Sequence, residues 1–257
     1  MDKAYEGYII DLDGTMYLGN QKIKEAGPFV ERLRANDKKL LFASNNSMNE
    51  PSDVAEKLNR LGVEAYVDEI LTSSLVLARY LEKEGIKRVF EIGQGGVRKA
   101  LEESKVDLVA YDDNPEAVVV GLDKSATYED LNKANLAIRN GARFISTNPD
   151  TSLPTENGLI PGSGAFAAFL QTATGVEPVS MGKPSAIMME FAVEKIGLPK
   201  DKVVMVGDNY ETDIMFGLNN GIDTLMVFTG LSEPAYLETV DKQPTHTVDN
   251  LDEWAVN

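Results

Sequence analysis

Tyr8-Ile9-Ile10-Asp11-Leu12-Asp13-Gly14-Thr15 is an apolar run that ends on a carboxylate, repeats a carboxylate two residues later and then turns on glycine. Two further runs end in a comparable way. Leu40-Leu41-Phe42-Ala43 leads into Ser44-Asn45-Asn46, and Val203-Val204-Met205-Val206-Gly207 leads into Asp208-Asn209. Short β-branched runs alternate with longer amphipathic segments along the chain, the pattern of βα units. A parallel α/β sheet gathers ligands at the carboxyl ends of its strands. Three polar endings far apart in sequence can therefore converge on one site, and their residue types suit phosphate chemistry.

Outward from these runs, the pattern predicts strands at Gly7–Asp11, Lys39–Ser44, Glu69–Thr72, Val89–Ile92, Leu108–Ala110, Ala117–Val120, Arg143–Ser146, Val203–Gly207 and Thr224–Phe228. Helices are expected over Ala26–Asn36, Pro51–Leu61, Ser73–Gly85, Gly96–Ser104, Tyr128–Asn140, Gly164–Thr174, Pro184–Gly197 and Glu211–Asn219. Thr127 fits an N-cap ahead of an acidic first turn. Pro184 fits a first helical position and Gly197 a helix stop. Crossings between domains fall near Glu82–Lys87 and Thr174–Ser180. The expected division is a core of residues 1–82 and 179–257 interrupted by a cap of residues 83–178.

At 257 residues, with 43% hydrophobic and 26% charged residues, the chain has material for two domains and a sizeable core. A net charge of −16 disfavours nucleic acid and anionic membranes as partners. It leaves room for an anionic substrate, because one divalent cation and one buried lysine reverse the local sign. With no cysteine, disulfides, thiolate metal sites and cysteine nucleophiles are excluded. The amino-terminal residues Met1 to Glu6 do not read as a signal peptide. No apolar stretch approaches the length of a membrane span. A cytoplasmic location is expected.

Asp11 and Asp13 at a strand end could both approach one substrate. One carboxylate would attack phosphorus and the other exchange protons with the leaving oxygen and with water. Ordinary Asp-Gly turn chemistry explains the same residues. Ser44 and the neighbouring amides could bind phosphate oxygens, or Ser44 could cap a helix. Asn45 and Asn46 are also plausible turn residues. Lys183, in Met181-Gly182-Lys183-Pro184-Ser185, could offset the repulsion between an anionic nucleophile and an anionic substrate; an exposed lysine is the plainer alternative. Asp208 and Asp213 are hard oxygen donors with no His or Cys beside them, which points to Mg²⁺. Asp213 would equally favour a helix dipole.

Asp11-Leu12-Asp13-Gly14-Thr15, Ser44-Asn45-Asn46, Lys183 and Gly207-Asp208-Asn209-x-x-Thr212-Asp213 resemble, in order and spacing, the four motifs of the haloacid dehalogenase superfamily. The insertion resembles the large α/β cap of its NagD-like sugar-phosphatase branch. Ala142 to Asp150 and Pro161-Gly162-Ser163-Gly164-Ala165 carry that closer likeness. The resemblance covers essentially the whole chain. It implies a Rossmann-like parallel-sheet core with an inserted α/β cap. It also implies Asp11 as nucleophile, Asp13 as acid/base, and Ser44, Asn45 and Lys183 around the phosphoryl oxygens. Mg²⁺ would be held by Asp11, the Asp13 carbonyl and Asp208, with Asp213 behind them. Asp13 argues against dehalogenation, because the dehalogenase branch lacks it. The implied substrate is a small phosphorylated metabolite, a sugar phosphate or a nucleoside monophosphate, hydrolysed through an aspartyl-phosphate. Transfer to another acceptor, as in mutases, and low-turnover binding of a phosphometabolite are the alternatives. The oligomeric state, monomer or dimer, stays open.

Other signals read more plainly. Asn148 and Asp150 are candidates for selecting the leaving group or for packing at the cap hinge. Gly93-Gln94-Gly95-Gly96 lacks the third glycine of a dinucleotide fingerprint, since Arg98 stands at the sixth position, and reads as a βα turn. Asp112 to Pro115 reads as a turn. His246, the single histidine, and Trp254 are expected near the surface and in the packing of the carboxyl-terminal segment.

Overall fold

The computed structural model describes residues 4–155 and 158–256, with the side chains of residues 154 and 155 outside the description. The first three residues of the amino-terminal stretch lie outside it as well. The chain forms two compact units. One comprises residues 1–44, 51–71 and 183–257, the other residues 45–50 and 72–182. These switches compare with the expected boundaries at 82/83 and 178/179. The helix Ser73–Glu84 and the short strand Val179–Ser180 both go with the second unit.

The first unit is built on a six-stranded sheet in the order His246–Val248, Asp223–Val227, Val203–Gly207, Gly7–Ile10, Lys39–Ser44 and Ile70–Thr72. The pairs from His246 to Lys39 run parallel. Ile9, Ile10, Phe42 and Val203 to Val206 are completely buried. Helices covering both faces of a parallel sheet produce such unbroken apolar runs, which alternating strands would not. Gly7 stands beside both Val203 and Lys39, so the three runs noted in the sequence are neighbours in register. Asp11, Ser44 and Asp208 consequently come at the carboxyl ends of adjacent strands.

The second unit carries its own parallel five-stranded sheet: Val179–Ser180, Arg143–Ser146, Ala117–Val120, Arg88–Ile92 and Asp107–Leu108. Val118, Val120, Phe144 and Ile92 pack with Ala134, Ala137, Ile138, Ala167 and Leu170 from the helices Tyr128–Arg139 and Ser163–Thr174. The expected cap on Tyr128–Arg139 is present. Thr127 Oγ1 accepts from the Asp130 amide at 3.3 Å, and Asp130 accepts from the Thr127 amide at 3.0 Å, a reciprocal capping box.

Three local expectations change. Pro184 is not the first helical residue: Ser185 caps the helix Ala186–Ile196, accepting from the Ile187 amide at 3.1 Å. The segment after Asp208 begins as a π-helical turn, Tyr210–Ile214, and becomes α-helical only over Met215–Asn220. Asn209 causes this by accepting main-chain bonds from Asp213 and Ile214 while its side chain caps Glu211. The hairpins Tyr17–Leu18/Gln21–Lys22 and Ser152–Thr155/Gly158–Pro161 were not anticipated. They are too short to show alternation.

Candidate active site

Asp11 follows the strand Gly7–Ile10 and is held by its amide, which donates to the Val206 carbonyl at 2.8 Å. Its carboxylate is paired with the Lys183 ammonium, which donates also to Asp213 Oδ1 at 2.7 Å. Lys183 is 1% exposed, so the plainer reading of an exposed lysine is excluded. Burial alone would strip its charge. The two carboxylates outweigh that and push its pKa up, so it stays an ammonium.

Asp208 follows Val203–Gly207 and is also buried. Oδ1 accepts from Thr15 Oγ1 at 3.0 Å and Oδ2 from the Leu231 amide at 2.7 Å. Gly14, at φ +100, makes this approach possible: a Cβ there would lie 2.3 Å from Asp208 Oδ2. Asp213 sits on the π-helical turn and accepts from the Asn209 amide at 3.1 Å. One carboxylate oxygen from each of Asp11, Asp208 and Asp213 lies within 4.8 Å of the others. This set could hold a metal ion. Asp213, expected behind the ligands, also accepts from Lys183 at 2.7 Å.

Packing like charges this closely has a price in ionisation. Burial first, then Asp213, push Asp11 well above the ordinary carboxylate range, against the pull of Lys183. Burial and Asp213 raise Asp208 to about 6. One lysine does not balance three carboxylates, and a cation among them would relieve the remainder. All donors are oxygens, a set that fits a hard divalent cation.

Asp13 is placed differently. The strand ends at Ile10, so strand periodicity does not reach residues 11 to 13. Met16 and Tyr17 donate to the Leu12 carbonyl, the Gly14 amide to Tyr17, and the chain turns. The Asp13 carboxylate is exposed and accepts from the Gly19 amide at 3.1 Å. Ser44 ends its strand and is buried.

Asn45, Asn148 and Asp150 come together in the second unit. Asn45 Nδ2 donates to Asp150 Oδ1 at 3.1 Å, and its carbonyl accepts from Asn148 Nδ2 at 2.8 Å. The Pro161 to Ala165 segment braces this loop, with the Gly164 amide donating to the Asp150 carbonyl at 2.8 Å. Elsewhere, the Val97 amide donates to the Gln94 carbonyl at 3.3 Å, as befits a turn, and the Gly96 amide donates to the distant Met48 carbonyl. His246 meets the Tyr5 hydroxyl at 2.9 Å and Trp254 stacks on Tyr5, tying the carboxyl-terminal segment to the sheet. Thr15 and Leu231 were not assigned a role from sequence. Thr15 lay within the first motif, whereas Leu231 contributes only a main-chain amide and leaves no mark in residue type.

The haloacid dehalogenase-like hydrolase family matches residues 8–107, and a second model of the same group matches residues 180–254. The chain belongs to this family. It is 46% identical over 253 residues to the 5'-nucleotidase YutF of Bacillus subtilis, covering 98% of both chains. It is 43% identical over 250 residues to the acid sugar phosphatase of Staphylococcus haemolyticus, covering 97% of this chain and 95% of that one. Its fold superposes on a thermostable NPPase double mutant from Geobacillus stearothermophilus with a TM-score of 0.93 and 42% identity, over 99% and 100% of the two chains. The family, the α/β fold and the parallel core sheet expected from sequence are thereby established. No helix among the described residues is long and apolar enough to cross a membrane.

Proposed function

We propose that this chain is a Mg²⁺-dependent phosphatase of small phosphomonoesters, of the sugar-phosphate or nucleoside-monophosphate class, acting through Asp11. The observation that carries the reading is Asp11 paired with the buried Lys183, which also pairs with the buried Asp213, with Asp208 beside them. Full-length relatives that are a 5'-nucleotidase and an acid sugar phosphatase support the substrate class.

In this mechanism an Asp11 carboxylate oxygen attacks phosphorus, and the ester P–O bond breaks. The leaving oxygen takes a proton from Asp13. Water then attacks the aspartyl-phosphate and gives a proton back to Asp13; the bond to Asp11 breaks and phosphate leaves. Lys183 and Ser44 hold the phosphoryl oxygens, with Asn45 contributing from the adjoining position. Asp11, the Asp13 carbonyl and Asp208 would hold Mg²⁺, with Asp213 supporting them. The bound ion would neutralise charge on the transferring group. Residues 83–178 are assigned as the inserted α/β cap domain.

The test is phosphate release from a panel of phosphorylated metabolites, with Mg²⁺ and with EDTA, on wild type and Asp11→Asn. The expected result is release that needs Mg²⁺ and falls by about 10³-fold or more in the variant. Undiminished release by Asp11→Asn would overturn the mechanism. Transfer of the phosphoryl group to an added alcohol in preference to water would favour the transferase alternative.

A further inference from the structure

The chain passes between its units four times, and two of these crossings, Ser44/Asn45 and Gly182/Lys183, adjoin residues of the candidate site. Ser44 and Lys183 are the phosphoryl-binding pair of the reading above, on which this inference rests. Their neighbours Asn45 and Gly182 both belong to the second unit, and both are fastened to one segment, residues 146–150. The Asn45 carbonyl accepts from Asn148 Nδ2 and from Ser73 Oγ, each at 2.8 Å, and its side chain is tied to Asp150. On the other crossing, the Met181 amide donates to the Ser146 carbonyl at 2.9 Å. A Cβ at Gly182 would lie 2.7 Å from Asn45 Oδ1, 2.8 Å from Asn148 Cβ and 3.0 Å from the Thr147 carbonyl oxygen. Asn148 thus lies against both crossings at once.

Its own polar atoms are committed. Nδ2 donates to Asn45 and, at 3.3 Å, to Thr147 Oγ1, while Oδ1 accepts from the Asp150 amide at 3.1 Å. The residue is 5% exposed. A side chain that reads a leaving group needs polar atoms to offer it; both amide hydrogens of Asn148 are already engaged. We propose that Asn148 is a positioning residue rather than a leaving-group selector. It clasps the two crossings so that the residues next in the chain, Ser44 and Lys183, enter the site at a fixed spacing. Small errors in such placement are expensive, since about 1 Å can cost 10²-fold in rate.

The two roles differ in what they do to the substrate profile. A selector affects some esters and leaves phosphate binding alone. A clasp affects every ester, because all share the phosphoryl group. The experiment measures kcat and KM for p-nitrophenyl phosphate, a hexose phosphate and a nucleoside monophosphate, together with inhibition by inorganic phosphate, on wild type and Asn148→Ala. Thermal unfolding identifies the folded material. The expected result is a loss of about tenfold or more in kcat/KM, by the same factor on all three esters, with phosphate inhibition weakened in parallel. Gly182→Ala should show the same signature. Losses that differ between esters with phosphate inhibition unchanged, or no change in folded Asn148→Ala, would overturn the proposal. Should Asn148→Ala not fold, Asn148→Asp carries the same test, because it keeps the size of the side chain and an acceptor for the Asp150 amide while removing the donor to the Asn45 carbonyl. Asp11→Asn run alongside separates the two levels: activity persisting there contradicts the phosphatase mechanism, whatever Asn148→Ala does.

Discussion

The buried polar cluster around Lys183 and the one around Asn45 are held together by opposite means. In the first unit one ammonium stands among three carboxylates, with two ionisations displaced upward by burial and mutual repulsion. In the second, amide and hydroxyl groups donate to the Asn45 carbonyl, and a single carboxylate, Asp150, accepts from the Asn45 amide. A cluster of surplus charge is poised for ligands that supply the missing counter-charge. A cluster of satisfied hydrogen bonds gains little from a ligand and serves instead to fix the chain. The chemistry of this protein is concentrated where electrostatic demands are left unmet, and its geometry is set where they are met.

Removing the cation should break this contrast most severely. Lys183→Met leaves Asp11 and Asp213 without their ammonium, and loss of one partner from a buried pair costs about 3–5 kcal/mol. Urea unfolding in EDTA should register that loss, and added Mg²⁺ should recover part of it. Stability equal to wild type would mean that the carboxylates are not the burden described here. Asp13→Asn should slow turnover by about 10²–10⁴-fold while Mg²⁺ affinity, measured by calorimetry, persists, because that position would offer its carbonyl.

Asp208 provides the pH signature. Its folded pKa of about 6 exceeds the ordinary value of 3.8, so the folded protein favours the protonated form. This group therefore stabilises most below the unfolded value. Its contribution is lost progressively as pH rises through about 6. The metal-free protein should then gain stability between pH 7 and pH 5, and the gain should shrink in Asp208→Asn, where Asp11, also raised, remains. An equal gain in that variant would assign the effect elsewhere. The smallest effect is expected in the second unit. Ser73→Ala removes a donor to the Asn45 carbonyl and should cost about 1 kcal/mol, with no change between pH 5 and pH 7.

Much of this was legible in residue order. The parallel core could be read because Ile9-Ile10 and Val203 to Val206 are unbroken apolar runs, and the strands Lys39–Ser44, Ala117–Val120, Arg143–Ser146 and Val203–Gly207 fall where the sequence predicts them. The burial of Lys183 could not be read, because it depends on Asp11 and Asp213 arriving 172 and 30 residues away. Asp13 was read as part of the strand end, whereas the strand stops at Ile10 and the chain then turns. The hairpins, at two to four residues per strand, carry too little pattern to be recognised. The Asn148 clasp was visible only as an ambiguity between selection and packing, since residue type cannot tell whether an amide's hydrogens are already taken.

The central claim is that Asp11 carries the phosphoryl group. Rapid acid quenching of a reacting Asp13→Asn sample, followed by peptide mass spectrometry, addresses it directly, because slowed hydrolysis should let the intermediate accumulate. The account predicts phosphate on Asp11 that appears during turnover and decays when substrate is exhausted. Phosphate on any other residue, or continuing turnover with Asp11 unmodified throughout, would contradict it.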